Sequence, residues 1–370
     1  MQVVATIRTR AGWCTAVLLA LAAIAATMGL FSATAQAKKA PRTFYGVVPN
    51  FDLTAADYQL MRQAHVGIAR IGLFWHAIER DEDQLDWSVP DAQIGALAAS
   101  GIQTLPDLFG TPRWVAGNDV TPPVNSPKQQ AEWTQFVAEA VKRYGPGGTY
   151  WSSVYPTQHP GAAPLPIGTW QVWNEVNGPK HFFPQPNVAK YATLLQITHN
   201  AIAAQDPNAD VLTAGLVSKP TGAGGMPAWV YLKKLLKNKA GKRSFDHVGL
   251  HPYAPDDKVI AKDVKKLRKA LKKGHKKQAQ TWITEVGWSS NPNSGSPKLS
   301  TTPKGQAKRL KKTYTRLKKK RKTWKIGGIY WYTLRDGTAG VCDWCPTAGL
   351  VTQSRAPKPA YGQYKRVAGG

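Results

Sequence analysis

The sequence predicts an α/β protein, a (β/α)8 TIM barrel in a single domain, and three observations carry that prediction. Eight short apolar runs recur along the chain. Amphipathic helical patterns lie between them. The runs extend from Tyr45 to Trp331, 286 residues and about 41 per unit, which fits eight βα repeats with insertions. The runs are Tyr45–Val48, Ile68–Phe74, Ile102–Leu108, Thr169–Trp173, Val211–Gly215, Phe245–Leu250, Thr281–Val286 and Gly327–Tyr332. They are near-continuous Val, Ile, Leu and aromatic segments, as expected of parallel strands covered on both faces. Val264, Leu267 and Leu271, and again Leu310, Tyr314 and Leu317, place apolar side chains on one helical stripe with Lys filling the rest. A doubly wound sheet needs a glycine-rich phosphate turn after its first strand, and Tyr45-Gly46-Val47-Val48-Pro49 has none. No solenoid period is present.

The chain begins with a targeting pattern. Arg8 and Arg10 form a basic start, Ala16–Leu30 an Ala/Leu-rich middle, and Ala35-Gln36-Ala37 an A-x-A cleavage site. The expectation is a signal peptide over 1–37, removed to leave a catalytic domain over 38–370 that is secreted or held at the cell envelope, with no transmembrane segment. The segment carries two Arg and no acid, so the net charge of +27 becomes +25. With 14 Trp, 13 Tyr and 9 Phe the chain is not disordered, and a single long apolar stretch excludes a polytopic membrane protein. Three cysteines cannot build a disulfide scaffold. Cys14 leaves with the signal, and Cys342 and Cys345 are read as one small-loop disulfide of an exported protein. The Gly/Pro-rich stretch Tyr144–Gly168 reads as a long ordered loop, and Arg355–Gly370 as a closing helix or extension.

Two acids sit at the C-terminal ends of predicted strands, where barrels of this class carry their chemistry. Glu175 follows the fourth strand in Trp173-Asn174-Glu175-Val176-Asn177. Glu285 ends the seventh in Ile283-Thr284-Glu285-Val286-Gly287-Trp288. They are separated by 110 residues, three βα units, so both reach the barrel mouth. An unpaired charge in such apolar surroundings costs several kcal/mol, so a buried pair argues for a task. Glycoside hydrolysis needs this arrangement: one carboxyl donates a proton to the leaving oxygen and the other attacks the anomeric carbon or activates water.

The Trp-Asn-Glu and Thr-Glu-Val-Gly-Trp segments resemble those of the clan of retaining (β/α)8 glycoside hydrolases. Arg70-Ile71-Gly72-Leu73-Phe74-Trp75-His76-Ala77-Ile78-Glu79 with Asp86-Trp87, Gly101-Ile102 leading to Thr111-Pro112-Arg113-Trp114, Asp246–Tyr253, and Lys358-Pro359-Ala360-Tyr361 are most similar to glycoside hydrolase family 39 and its relatives, with family 5 a close competitor. The resemblance covers roughly 45–365. It implies Glu175 as acid/base and Glu285 as nucleophile in double displacement on a β-linked O-glycosidic bond. It further implies Asn174 on the sugar 2-hydroxyl, Arg70 beside Glu285, Tyr253 bonded to the nucleophile, His251 in the same floor and Trp331 stacked on a sugar face. Trp75 and Trp114, with Phe109, follow strands and are candidate aromatic platforms. Val176 departs from the pattern, since many relatives have Pro after the acid. The acids supply the chemistry alone, so no metal or organic cofactor is implied. A non-catalytic carbohydrate-binding barrel and a transglycosylase remain the alternatives, and the glycan is expected to be selected by Thr111–Pro127, Tyr144–Gly168 and Asp336–Cys345.

Charge is unevenly spread. Residues 231–330 hold 29 Lys+Arg against 5 Asp+Glu, a net of +24, nearly all of the excess. The Lys-rich helices within 231–325 are read either as a solvated face or as a docking surface for an anionic envelope polymer. No nucleic-acid fold or stacking motif accompanies them, so no specific nucleic-acid partner is expected.

Overall fold

Eight parallel strands close into a barrel in sequence order. The computed structural model describes residues 39–49, 52–337 and 342–370, and the expected signal peptide lies outside them. The strands are β1 Tyr45–Val48, β2 Ile68–Phe74, β3 Gln103–Phe109, β4 Thr169–Asn174, β5 Asp210–Val217, β6 Val248–His251, β7 Thr281–Val286 and β8 Ile326–Tyr332. Closure is made by β1 on β8, with Tyr45 opposite Ile329 through Val48 opposite Tyr332. The eight apolar runs of the sequence match these strands within a residue or two. The exception is the sixth, where Phe245–His247 enters as a loop and the strand starts at Val248.

Eight long helices surround the barrel: α1 Ala55–Gln63, α2 Ser88–Ala99, α3 Pro127–Tyr144, α4 Val188–Gln205, α5 Ala228–Lys237, α6 Asp257–Lys273, α7 Pro303–Lys320 and α8 Pro359–Gly369. The starts of several are fixed by side chains that accept from otherwise unpaired backbone N–H groups. Ser126 caps α3, Asp256 accepts from Lys258 and Val259 at α6, and Thr302 with Pro303 opens α7. Thr54 and Asp57 form a capping box at α1. The C-terminal tail is the closing helix α8. It packs on α7, and Tyr364 donates to the Gly46 carbonyl of β1 while Tyr361 donates to Leu60. Among the described residues no helix is long and apolar enough to cross a membrane.

The barrel interior is divided by depth. Ile68, Leu105, Leu212 and Tyr330 fill its lower part. One turn of the strands higher, Arg70, Asp107 and Gln171 point inward from β2, β3 and β4 and are buried. The apolar layer thus serves as the floor of a polar one, and the polar layer opens toward the strand C-termini.

The stretch Tyr144–Gly168 is corrected by the structure. It is not a plain loop but carries helical turns over Tyr150–Val154 and Tyr155–Gln158, packed by buried Tyr144, Tyr150, Trp151 and Tyr155. Tyr144 and Arg143 both bond Asp91, and Trp151 donates to the Tyr144 carbonyl. Because it follows α3 and precedes β4, it lies at the barrel face opposite the mouth. None of its residues lines the cleft at the mouth.

Candidate active site

Arg70 organises the mouth from below. Its Nε donates to Gln171 Oε1 at 2.8 Å, one terminal nitrogen to Glu285 Oε1 at 2.8 Å, and the other to Asp107 Oδ2 at 2.7 Å and Asn174 Oδ1 at 3.0 Å. One guanidinium therefore fixes groups from β3, β4 and β7, using the fork of donors that a lysine lacks. Burial opposes its charge, but Asp107 and Glu285 more than offset that and hold it protonated. Asp107 is pushed up to about 6, because burial outweighs the pull of Arg70.

Glu285 receives two donors on separate oxygens: Arg70 on Oε1, and the Tyr253 hydroxyl on Oε2 at 2.5 Å. A register irregularity in β7 between Ile283 and Val286 spans Glu285 and sets its direction at the strand end. Tyr253 is pushed well above its ordinary range by burial and by the Glu285 charge, so it donates.

Glu175 lies at a strained strand end. Trp173 and Glu175 both have positive φ, 68° and 45°, a region that non-glycine residues rarely occupy. Such conformations cost about 1–3 kcal/mol each and persist where surrounding packing enforces them. Here the Trp173 ring is fully buried against Phe109 and Trp133, and its Nε1 donates to the His181 carbonyl. Asn177 ties the following turn to β5 through Val217 and to the loop before α5 through Met226. Val176, the departure from the usual proline, is buried within this turn.

The Glu175 carboxylate sits between two imidazoles. His251 Nδ1 shares a 2.8 Å hydrogen bond with Oε1, and His181 Nδ1 approaches Oε2 to 3.1 Å. Burial by itself raises the Glu175 carboxyl, but the contacts from His181 and His251 outweigh it and hold the group well below the usual carboxylate range. His251 Nδ1 is also 3.5 Å from Glu285 Oε2. One oxygen from each glutamate and one His251 nitrogen all lie within 4.8 Å of one another. His251 can occupy this seat because β5 carries Gly215 beneath it. A Cβ at that position falls 1.9 Å from His251 Nε2.

Above these groups is a cleft of about 520 Å³, lined among others by Arg70, Asp107, Asn174, Glu285, Phe109 and Tyr332. Asn174 spends its Oδ1 on Arg70, which leaves its amide hydrogens for a ligand. The loop after β8 also reaches the mouth. A disulfide joins Cys342 to Cys345, and between them Trp344 packs on Tyr253 and Tyr332 with ring centroids 4.9 and 5.8 Å apart.

The structure thus brings Arg70, Asn174, Glu175, His251, Tyr253 and Glu285 together. It does not bring the three tryptophans. Trp331 is fully buried, stacks on Trp288 and donates to the Ala348 carbonyl, because strand alternation turns 331 outward and 330 and 332 inward. Tyr332 takes the place at the mouth. Trp75 is also fully buried. The chain turns into a short helix at Trp75–Ile78 directly after β2, which carries the ring away from the barrel and onto Trp133 and Phe136. Trp114 is half-buried against Trp75 and donates to the Glu79 carbonyl, outside the cleft lining. His251, which the sequence puts in the floor, has no exposed surface and touches both glutamates instead.

Sequence reasoning missed Asp107, His181 and Tyr332. Asp107 carried a signal, as a lone acid inside the apolar run Leu105–Phe109. Tyr332 carried one in strand alternation. His181, in the Pro179-Lys180-His181 turn, carried none.

The barrel and its mouth define the class: a (β/α)8 fold with two facing carboxylates at the strand C-termini. Solved structures of this fold that resemble the chain are glycoside hydrolases. A family 39 glycoside hydrolase from the gut symbiont Bacteroides cellulosilyticus WH2 has a TM-score of 0.65 at 20% identity, over 89% of this chain and 64% of that one. A monomeric beta-xylosidase from Caulobacter crescentus CB15 has 0.61 at 16%, over 89% and 69%. Xylanase 10B from Thermotoga maritima has 0.60 at 15%, over 89% and 95%. The chain therefore spans about two thirds of the first two and nearly all of the third. At these identities the likeness establishes the fold. No protein-family model matches the chain, and no curated protein matches it.

Proposed function

We propose that the protein is a secreted retaining glycoside hydrolase that cleaves a β-linked O-glycosidic bond in an oligo- or polysaccharide by double displacement. The observation that carries this reading is the approach of the two carboxylates. A pair about 5–5.5 Å apart leaves room for direct attack on the anomeric carbon, whereas a pair held about 6.5–9.5 Å apart makes room for a water. An oxygen of Glu175 lies within 4.8 Å of one of Glu285, which supports the narrow spacing.

Glu285 attacks. Arg70 and Tyr253 stabilise its negative charge and aim it. Glu175 protonates the departing oxygen, then takes a proton from the water that releases the sugar. Asn174 donates to the 2-hydroxyl, where a hydrogen bond can strengthen toward the transition state. The experiment is intact-mass spectrometry after exposure to a panel of 2-deoxy-2-fluoro glycosides with good leaving groups. The expected result is a mass increase on Glu285 that also names the sugar. A labelled residue elsewhere in the mouth overturns the assignment.

The two imidazoles carry a pH prediction. His181 and His251 hold Glu175 as a carboxylate, a state suited to the base step and opposed to the acid step. Loss of the protonated acid gives the alkaline limb of kcat/KM. His181→Asn removes one lowering contact, so the Glu175 pKa rises and that limb moves to higher pH. An unmoved limb in a folded variant shows that His181 does not act on the acid.

A further inference from the structure

The basic flank has an order that its sequence alone does not reveal. α5, α6 and α7 are successive neighbours around the barrel, so their outer faces join into one surface. Lys258, Lys262, Lys265, Lys266, Lys269, Lys272 and Lys273 of α6 are all exposed. So are Lys304, Lys308, Lys311, Lys312, Lys319 and Lys320 of α7, and Lys233, Lys234 and Lys237 of α5. From Lys258 to Lys325 the chain has two acids, Asp263 and Glu285, and both are buried. On these faces Lys266 reaches Asp263 at 3.4 Å and Asp256 lies beside Lys258 at the start of α6, and the other exposed lysines greatly outnumber these acids. Like charges three and four residues apart repel. Favourable placement at helix C-termini accounts for Lys272, Lys273, Lys319 and Lys320, but not for lysines along the full length of both helices.

We propose that this surface docks an acidic polysaccharide. The side chains select that class of polyanion over two others. The arginines of α6 and α7 are engaged within the fold: Arg268 donates to the carbonyls of Ala279 and Lys277, Arg309 to that of Lys298, and Arg316 pairs with Asp257. What is presented outward is mostly ammonium groups, point charges that suit carboxylates on a mobile chain and lack the fork that reads phosphate bidentately. The half-buried aromatic rings on this flank each have a lysine over one face: Lys265 lies 5.5 Å from the Trp324 ring centroid and Lys266 4.2 Å from that of Trp229. That lysine occupies a face on which a base would stack. Among the described residues the exposed large apolar side chains are Val89 and Phe183, neither on these helices, so this face has nothing to insert into a bilayer.

Helices of the barrel run opposite to its strands, so the C-termini of α5, α6 and α7 lie at the face away from the mouth. There Lys237, Lys239, Arg243, Lys272, Lys273, Lys277, Lys319, Lys320 and Lys322 concentrate the charge. Docking through the flank and underside leaves the mouth open to solvent, and it is independent of the catalytic reading.

The test uses polygalacturonate as the probe, with neutral dextran, duplex DNA and phosphatidylglycerol-containing vesicles at matched charge. The triple variant Lys269→Gln, Lys272→Gln, Lys311→Gln is compared with Lys128→Gln, Lys142→Gln, Lys190→Gln on the opposite flank, which removes the same net charge. The first is expected to bind polygalacturonate about tenfold more weakly at low salt, with a shallower dependence of affinity on salt. The second is expected to bind within about twofold of the unmodified protein. Equal losses in the two variants, or tighter binding of the unmodified protein to DNA or vesicles than to polygalacturonate, overturn the proposal.

Discussion

Replacing Glu285 with Ala is expected to lower kcat by about 10⁴-fold or more, because the carboxylate that forms the covalent intermediate is gone. The fold is expected to survive, since Arg70 stays paired with Asp107 and the space left by the carboxylate opens onto the cleft. Azide then distinguishes the two acids. In Glu285→Ala, azide enters the space of the missing carboxylate, attacks from its face, and gives a glycosyl azide of inverted configuration. In Glu175→Ala the intermediate on Glu285 still forms from substrates with good leaving groups, and azide captures it from the opposite face with net retention. Inverted product from the first variant and retained product from the second fix both roles. The opposite pattern exchanges them, and full activity of Glu285→Ala removes the double-displacement reading.

The barrel was legible because its signal is redundant. Each strand is a short apolar run, and β1, β2 and β7 begin and end as the runs do. The two glutamates were legible for a related reason, as charges in segments that otherwise bury well. What the sequence concealed depends on direction rather than position. Trp331 and Tyr332 are adjacent, yet alternation sends one ring into the helix layer and the other to the mouth. Trp75 follows β2 directly, but an immediate helical turn swings it outward. Asp107 shows the converse. It sits mid-strand in an apolar run, and its partner Arg70 lies on the neighbouring strand at a register that only pairing reveals, with Arg70 opposite Leu105 and Gly72 opposite Asp107. His181 depends on the conformation of a loop held by Trp173, which no local pattern encodes. The stretch Tyr144–Gly168 was misplaced because composition identifies a connection without saying which end of the barrel it crosses.

Arg70→Met is the second change expected to have a large effect, and it acts on stability as well as activity. Arg70 and its partners Asp107 and Glu285 are buried, so removing the cation leaves buried carboxylates without their counter-charge. Breaking a buried pair from one side costs about 3–5 kcal/mol. Catalysis also loses the group that aligns Glu285 with Asn174, and a drop in kcat of about 10²-fold is expected from that misplacement alone. The pH dependence separates the electrostatic cause from simple loss of packing. Asp107 already has a pKa of about 6 in the folded protein against 3.8 as its ordinary value, so its ionisation penalises folding progressively as pH rises between those values. Arg70 pulls that pKa down, so its removal raises it further and extends the penalty to higher pH. Below about pH 3.8 Asp107 is protonated in both folded and unfolded chains and contributes nothing. The difference in Tm between the unmodified protein and Arg70→Met is therefore expected to widen from pH 4.5 to pH 8. Adding Asp107→Asn removes the stranded charge, and the double variant is expected to recover part of the loss and to flatten the pH dependence. A Tm difference that is the same at both pH values, and unmoved by Asp107→Asn, assigns the role of Arg70 to packing rather than to charge.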